Sequence, residues 1–208
     1  MKSVINRAIK MARQEATSKL EAATKVQAKA EAKQEQKDSG AKKRKATYDD
    51  DELRALLEAS KSKIRVVGCG GGGCNTINRM TEVGILGAET VAVNTDAQDL
   101  LKVKADRKVL IGKKLTRGLG AGSDPNVGEA SAQESMEELR EIFSDADLVF
   151  ITCGMGGGTG TGSAPVVAEL VKKAKALTIG VVTIPFTVEG RKRMENALHG
   201  IANLRKHA

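Results

Sequence analysis

Aromatic residues are scarce in this sequence. Its 208 residues include no Trp, one Tyr and three Phe. Proteins that hold single-stranded nucleic acid stack the bases on aromatic side chains, so this composition argues against that class of binder. No apolar run is long enough to cross a bilayer, which argues against a membrane-spanning protein.

Cysteine and histidine are also few. Three cysteines and the absence of a signal peptide predict a protein of the reducing cytoplasm. Cys69 and Cys74 lie close together in a glycine-rich stretch, but the two histidines, His199 and His207, are distant in the sequence. We therefore predict no zinc site.

Positive charge is concentrated in the N-terminal third of the chain. The net charge is +8, and residues 1–63 contribute +6 of it, with 16 Lys/Arg against 10 Asp/Glu. Residues 64–208 carry 18 Lys/Arg and 16 Asp/Glu, a net charge of +2. The predicted globular part is nearly neutral, so we predict no specific nucleic-acid partner.

Residues 1–47 are predicted to form a basic, helix-prone tail and linker. In residues 1–16 the apolar side chains share one helical face, and Lys2, Lys10 and Arg13 lie opposite. Such a helix suits weak contact with an anionic membrane or a groove of a partner protein; the alternative is a helix that forms only part of the time in solution. Residues 16–36 have too few large apolar residues for a core. Residues 37–45 are typical of a solvated basic linker; the alternative is a basic run that contacts nucleic acid or lipid.

Residues 48–63 are predicted to form a short helix and a connector. Four consecutive acidic residues, 49–52, favour a helix start at this point. We expect Leu53, Leu56 and Leu57 of this helix to dock on the domain that follows.

From residue 64 onward, strand patterns alternate with helix patterns. Strands are predicted at 64–67, 90–94, 108–111, 148–153 and 177–183, and helices at 76–86, 98–103, 127–143, 163–176 and 191–207. This alternation predicts an α/β domain over residues 64–208 with a doubly wound, mostly parallel sheet. Ligands of such sheets bind outside the carboxyl ends of the strands.

A glycine-rich stretch, 156–162, follows the apolar strand pattern at 148–153. A helix pattern follows it, with Pro165 expected in the first turn. Strand, glycine loop and helix start form a phosphate-binding geometry, since free N–H groups and the helix dipole favour an anion. The hydroxyls of Thr159 and Thr161 are further candidate donors. A flexible glycine linker is disfavoured because a strand and a helix frame the loop.

The first glycine loop is ambiguous by itself. Gly68, Gly70 and Gly73 satisfy the G-x-G-x-x-G pattern, and Asp96 closes the next strand, as in a dinucleotide-binding dehydrogenase. A third loop, 118–122, reaches the same edge, and three loops supply more donors than one pyrophosphate needs. A triphosphate does need them, yet the G-x-x-x-x-G-K-[ST] pattern of ordinary P-loop proteins is absent.

Five motifs in order closely resemble the tubulin/FtsZ GTPase family, with an archaeal character. They are GCGGGGCN at 68–75, NTD at 94–96, GLGAG at 118–122, GGGTGTG at 156–162 and PFTVEGRKRM at 185–194. The resemblance implies a Rossmann-like domain that binds GTP or GDP, with Mg²⁺ held mainly through the phosphates. It also implies head-to-tail filaments, division-ring partner proteins and a cytoplasmic location at the division site.

The resemblance also implies which residues contact the nucleotide. Glu189 matches the carboxylate that holds the ribose hydroxyls, and Arg193 matches a nearby contact; the alternatives are a solvated loop carboxylate and a surface cation paired with Glu195 or Glu189. Asp96 is expected either to orient a magnesium-bound water or to cap a helix. The full predicted site is Gly70, Gly71, Gly72, Gly73, Cys74, Asn75, Asn94, Asp96, Ala121, Gly122, Gly156, Gly157, Gly158, Thr159, Gly160, Thr161, Gly162, Glu189 and Arg193.

Two features depart from the family pattern. Asp124 stands where the family usually has Asn, and a carboxylate there has two expected roles, holding a metal or repelling phosphate. The family's next strand, guanine-contacting central helix and catalytic acidic loop have no counterpart before Ala208. We therefore expect part of a longer GTPase, with strand 177–183 an exposed apolar edge and catalytic residues supplied in trans. A dehydrogenase domain and a non-hydrolysing GTP-dependent scaffold remain alternatives.

Overall fold

The computed structural model describes residues 49–208. The predictions for residues 1–47 fall outside this range. Helix α1 (Asp50–Ala59) has Asp50, Asp51 and Glu52 in its first turn, where negative charge stabilises the positive end of a helix. This helix and the residues from Ser60 onward belong to different units of the chain, so the docking of α1 stays a prediction.

The unit from Ser60 onward is built on a five-stranded sheet. Its strands are β1 (Ile64–Cys69), β2 (Ala88–Asn94), β3 (Arg107–Leu110), β4 (Leu148–Gly154) and β5 (Leu177–Thr183). Their order is β3-β2-β1-β4-β5, and every neighbouring pair is parallel. The predicted parallel α/β fold is confirmed.

Helices connect each strand to the next, and a last helix follows β5. They are α2 (Gly70–Val83), α3 (Ala97–Lys102), α4 (Lys113–Thr116), α5 (Pro125–Glu134), α6 (Met136–Phe143), α7 (Thr159–Lys173) and α8 (Arg191–Leu204), with a 3-10 turn at Thr187–Glu189. None of the helices in the described part of the chain is both long enough and apolar enough to span a membrane.

Two apolar layers cover the two faces of the sheet. Neighbouring residues of β1 divide between them, because successive side chains of a strand point to opposite faces. Val66 packs with Ile77 of α2 and Leu100 of α3. Val67 packs in the larger layer, which contains Phe143 of α6 and Val167 of α7. This arrangement is the doubly wound architecture.

The helices differ from their predicted bounds mainly at the glycine-rich loops. Helix α2 starts at Gly70 and α7 at Thr159, so both loops already contain a first helical turn. Pro165 therefore lies well inside α7 and not in its first turn, which corrects that prediction. The helix predicted at 127–143 is divided at Ser135, whose side chain accepts a hydrogen bond from Gly112 N.

Strand β5 forms one edge of the sheet. Among residues 49–208 it pairs with β4 alone. Leu177 and Val181 are 64% and 56% exposed, so the edge strand carries apolar side chains on an open face. The predicted apolar edge is confirmed, and such edges favour association with other chains.

Candidate functional site

Two helix N-termini lie side by side at the carboxyl edge of the sheet. Helix α2 follows β1 without a loop, and α7 follows β4 after four residues. Neither helix has a side-chain cap. The first hydrogen bond that α7 closes is Gly162 N to Gly158 O, at 3.0 Å. The N–H groups of the preceding residues are therefore free of intrahelical partners, and the helix dipole adds partial positive charge.

Glycine is required where the two termini meet. Gly70 has a φ of +69°, and a Cβ atom there would lie 2.7 Å from Gly160 N. A Cβ atom on Gly160 would lie 2.9 Å from Cys69 O. Both spaces are too small for any side chain, so glycine at these positions lets the two helix starts touch.

The two N-termini open onto one cavity of about 340 Å³. This volume lies in the range of small-molecule sites. We call it the phosphate cavity. Its lining residues come from three strand ends, two helix starts, the segment before α8 and the first turn of α8: Cys69, Gly70, Gly71, Gly72, Gly154, Met155, Gly157, Gly158, Thr159, Gly160, Thr183, Ile184, Pro185, Glu189 and Arg193.

The two neighbouring helices are capped by carboxylates. Asp96 begins α3 and accepts hydrogen bonds from Gln98 N (2.9 Å) and Asp99 N (3.1 Å). Asp124 begins α5, and its Oδ1 accepts from the backbone and side-chain nitrogens of Asn126 at 2.9 and 3.1 Å. Of the two roles expected for Asp96, the structure shows the cap. For Asp124 it shows a cap that was not predicted.

The third glycine loop packs against the start of α7. A Cβ atom on Gly158 would lie 2.9 Å from both Ala121 Cβ and Asp124 N. Gly120 N donates to Thr95 O at 3.2 Å, which ties the loop to the end of β2. Gly122 lines a neighbouring cavity of about 370 Å³. The predicted convergence of the three glycine loops on one edge is therefore present.

An ion pair lies at the rim of the phosphate cavity. Glu189 Oε2 and Arg193 Nη1 are 2.8 Å apart, and Glu189 Oε1 accepts from Phe186 N at 2.8 Å. Glu189 was predicted to hold the ribose and Arg193 to be a nearby contact; the structure shows the ion pair with Glu189 that was the alternative expected for Arg193. A ligand hydroxyl that donates to the carboxylate of Glu189 would do so beside the two groups already bound there, Arg193 Nη1 and Phe186 N.

The remaining predicted residues do not line the phosphate cavity, and some of them hold its loops in place. Asn94 Oδ1 accepts from Thr95 N at 2.8 Å, and Thr161 Oγ1 accepts from Gly156 N at 2.9 Å. Asn75 lies in a separate cleft beside α3. The predicted residues that do not line the phosphate cavity are Gly73, Cys74, Asn75, Asn94, Asp96, Ala121, Gly122, Gly156, Thr161 and Gly162.

The sequence-based prediction missed several residues that line the phosphate cavity. They lie in or just beyond the last residues of three strands, and include Cys69, Gly154, Met155, Thr183, Ile184 and Pro185. Position at the carboxyl end of a parallel strand is the signal that identifies them, since these ends form the ligand edge of such sheets.

The three cysteines are buried and neutral. Burial raises the pKa of Cys74 and of Cys153 to about 12, and it raises the pKa of Cys69 well above its ordinary value. In residues 49–208 no group of three His, Cys, Asp or Glu side chains is arranged to hold a metal ion. The chemistry of the cavity is thus set by backbone N–H groups, hydroxyls and one ion pair.

A parallel α/β sheet with two uncapped glycine-rich helix starts on one cavity defines a phosphate-binding, nucleotide-binding class of domain. Comparison with known families assigns the chain within that class. The family description "Tubulin/FtsZ family, GTPase domain" matches residues 63–208. The chain belongs to the tubulin/FtsZ family, as its five motifs indicated.

Similar proteins come from archaea. "Cell division protein FtsZ 1" of Thermococcus kodakarensis is 63% identical over 158 residues, which cover 76% of this chain and 42% of that protein. An FtsZ dimer from Methanocaldococcus jannaschii superimposes with a TM-score of 0.73 at 61% identity, covering 76% of this chain and 46% of that one. CetZ2 from Haloferax volcanii, solved as a GTPγS-bound protofilament, has a TM-score of 0.64 at 26% identity, covering 70% and 47% of the two chains.

The chain spans less than half the length of these relatives. The dehydrogenase alternative is not favoured, since the family match accounts for the G-x-G-x-x-G loop. In addition, the carboxylate of Asp96 caps α3, whereas the dehydrogenase pattern uses it on a ribose.

Proposed function

We propose that residues 64–208 bind GTP and GDP, with the phosphates in the phosphate cavity. The convergence of two uncapped helix N-termini, those of α2 and α7, carries this proposal. Free N–H groups there match the oxygens of a polyphosphate, and both helix dipoles favour its negative charge. Thr159 adds a hydroxyl donor at the start of α7.

The ribose is proposed to lie at the rim formed by Glu189 and Arg193. Two adjacent hydroxyls of a ribose match the two oxygens of a carboxylate. The planar guanidinium of Arg193 suits phosphate oxygens. Its ion pair with Glu189 places both groups at the rim of the cavity.

Hydrolysis is proposed to occur between stacked subunits. The phosphate cavity, as the described residues form it, contains one carboxylate, Glu189, and that group is already engaged by Arg193 and Phe186 N. We therefore place no catalytic base in this chain and expect one in trans from a neighbouring subunit. The fixed N–H donors stabilise charge that develops on the phosphates, and Mg²⁺ is bound mainly through the phosphates.

The biological role proposed is that of an FtsZ-type cytoskeletal GTPase of cell division. Similarity to proteins named for cell division, and to a dimer and a protofilament, supports self-assembly, and the arrangement proposed is head to tail. The proposed partners are further copies of the chain and division-ring proteins, with a cytoplasmic location at the division site. Residues 1–16 are proposed to make a weak membrane contact.

Equilibrium binding of fluorescent GTP, ATP and NAD to the 208-residue chain tests the proposal. We expect GTP to bind, and Thr159→Ala to weaken that binding by about 1.5–3 kcal/mol through the loss of one charge-assisted hydrogen bond. Gly158→Val should weaken it more, since its side chain meets Ala121 and Asp124. The control is Thr90→Ala, which alters a buried threonine near the N-terminal end of β2, away from the strand ends that form the cavity. Unchanged GTP affinity in both cavity variants would mean that the phosphate site is placed wrongly.

The same protein separates a GTPase from a non-hydrolysing scaffold. Alone, it should bind GTP and release no phosphate steadily, because the cavity lacks a free base. Adding subunits of a full-length relative should restore turnover in part if their acidic loop reaches this nucleotide. Steady turnover by the chain alone would contradict the placement of the base in trans.

A further inference from the structure

Two threonine hydroxyls meet behind the phosphate cavity. Thr95 follows β2 and Thr159 starts α7, and their Oγ1 atoms are 2.6 Å apart. Thr95 is fully buried, whereas Thr159 is half-buried and lines the cavity. The carbonyl of Thr95 accepts a hydrogen bond from Gly120 N (3.2 Å), which holds its backbone in place; Thr116 Oγ1 also lies 3.3 Å from this carbonyl but has a shorter acceptor in Gly112 O at 3.1 Å.

Burial decides which hydroxyl donates. The pair holds two protons, but only one lies between the oxygens. Within residues 49–208, Thr159 is the one hydrogen-bond partner of the Thr95 hydroxyl. If Thr159 donated to Thr95, the proton of Thr95 would be buried without an acceptor, and an unsatisfied buried donor is costly. If Thr95 donates to Thr159, both hydroxyls are used, because Thr159 directs its own proton toward the cavity.

We propose that Thr95 is a positioning residue for the triphosphate, acting through Thr159. Its donated hydrogen bond occupies a lone pair of Thr159 Oγ1 and leaves the Thr159 proton for a phosphate oxygen. Hydrogen bonds in such chains polarise one another, so the Thr159 hydroxyl becomes a stronger donor. The same residue holds loop 118–122 through its carbonyl, so it links two of the three glycine loops. This inference rests on the proposed GTP binding.

A double-mutant cycle tests the inference in the 208-residue chain, with fluorescent GTP as the probe. Thr159→Val should weaken binding about 10- to 100-fold. Thr95→Val should weaken it about 3- to 10-fold in the parent, within the range of directly bonded pairs, and less than about twofold when Thr159 is already valine. Thr95→Ser, which keeps the hydroxyl, should bind as the parent does.

Thr90→Val is the matched control. Thr90 is also buried and on β2, and its hydroxyl bonds Asp106 at the far end of the strand. The Thr90→Val substitution should lower the unfolding temperature and leave GTP affinity within about twofold of the parent. If Thr95→Val does not fold, Thr95→Ala removes the same hydroxyl without a methyl against Thr159, and the same criteria apply.

Thermal unfolding without nucleotide tests the direction of the hydrogen bond. Thr159→Val should lower the unfolding temperature by leaving the Thr95 proton without an acceptor, and adding Thr95→Val should recover part of the loss. A higher unfolding temperature for Thr95→Val alone would overturn the assigned direction, because it would mean that Thr95 already carries a buried, unsatisfied proton in the parent. Equal effects of Thr95→Val on GTP affinity in both backgrounds would overturn the positioning role alone. A parent chain that binds no GTP would overturn the proposed function and this inference together.

Discussion

Gly162 lies where α7 crosses α5, and we expect its replacement by alanine to separate the two helices. A Cβ atom at this position would lie 2.0 Å from Pro125 O and 2.5 Å from Glu129 N. Both neighbours are backbone atoms, which no rotamer change can move. The contact is reciprocal, since a Cβ atom on Gly128 would lie 2.4 Å from Gly158 O. The substitution therefore requires a shift of α5 against α7 by about 1 Å.

The net cost follows from two opposing effects. Overpacking costs about 1–3 kcal/mol, and the upper end applies because backbone atoms must move. Replacing glycine by alanine inside a helix returns about 1 kcal/mol. The expected loss in the free energy of unfolding is about 2 kcal/mol. For a domain of this size that lowers the unfolding temperature by about 4–8 °C.

Thermal unfolding followed by far-UV circular dichroism, at low protein concentration, measures this loss. Gly71→Ala is the matched control, because a Cβ atom at Gly71 meets nothing within 4 Å. Its unfolding temperature should equal or slightly exceed that of the parent. GTP affinity should fall in Gly162→Ala, since a shift of α5 moves Asp124 and the loop that touches Gly158. A Gly162→Ala protein that unfolds within about 1 °C of the parent would refute the close approach of the two helices.

Three further predictions concern charge, thiols and the tail. A hydrogen bond from Lys63, and a second one from Arg65, lower the pKa of Asp145 to about 2. The stability that this carboxylate contributes is therefore present above pH of about 4 and lost toward pH of about 2, so the unfolding temperature of Asp145→Asn should fall less over this range than that of the parent. The buried thiols should resist a maleimide at pH of about 8 in the folded protein and react in denaturant, whereas rapid labelling of the native chain would contradict their burial. Through residues 1–16 the chain should co-sediment with anionic liposomes, and Ile5→Glu should reduce the co-sedimented fraction. Equal co-sedimentation of both proteins would contradict the proposed membrane contact.

The order of the elements was largely predictable from local pattern. The apolar run at 177–183 coincides with β5, and the run from Leu148 lies within β4. Short apolar segments of this length are typical of strands in a parallel sheet, and this pattern needs no knowledge of distant residues, whereas the exposure of β5 at the sheet edge is a property of the folded chain. The five motifs in order likewise identified the family, because the spacing of their glycines is a property of the sequence and does not depend on the fold.

Helix starts were less predictable, because glycine carries little helical signal. Residues 70–73 are four consecutive glycines, which the sequence indicates as a loop, yet they form the first turn of α2. Tertiary contacts make this possible: the turn is confined between the ends of β1 and β4, where Gly73 lies against Thr152 O. Packing outweighs the weak local preference.

Hydrogen-bond partners distant in sequence were decided only by the tertiary structure. The sequence shows carboxylates at Asp96 and Asp124 and none just before α2 or α7. Only the folded chain shows that Asp96 and Asp124 cap helices, whereas the N-termini of α2 and α7 have no side-chain cap. The Thr95–Thr159 pair joins residues 64 positions apart. Local pattern is encoded by neighbours along the chain, whereas the orientation of a donor depends on which strand ends the sheet order brings together.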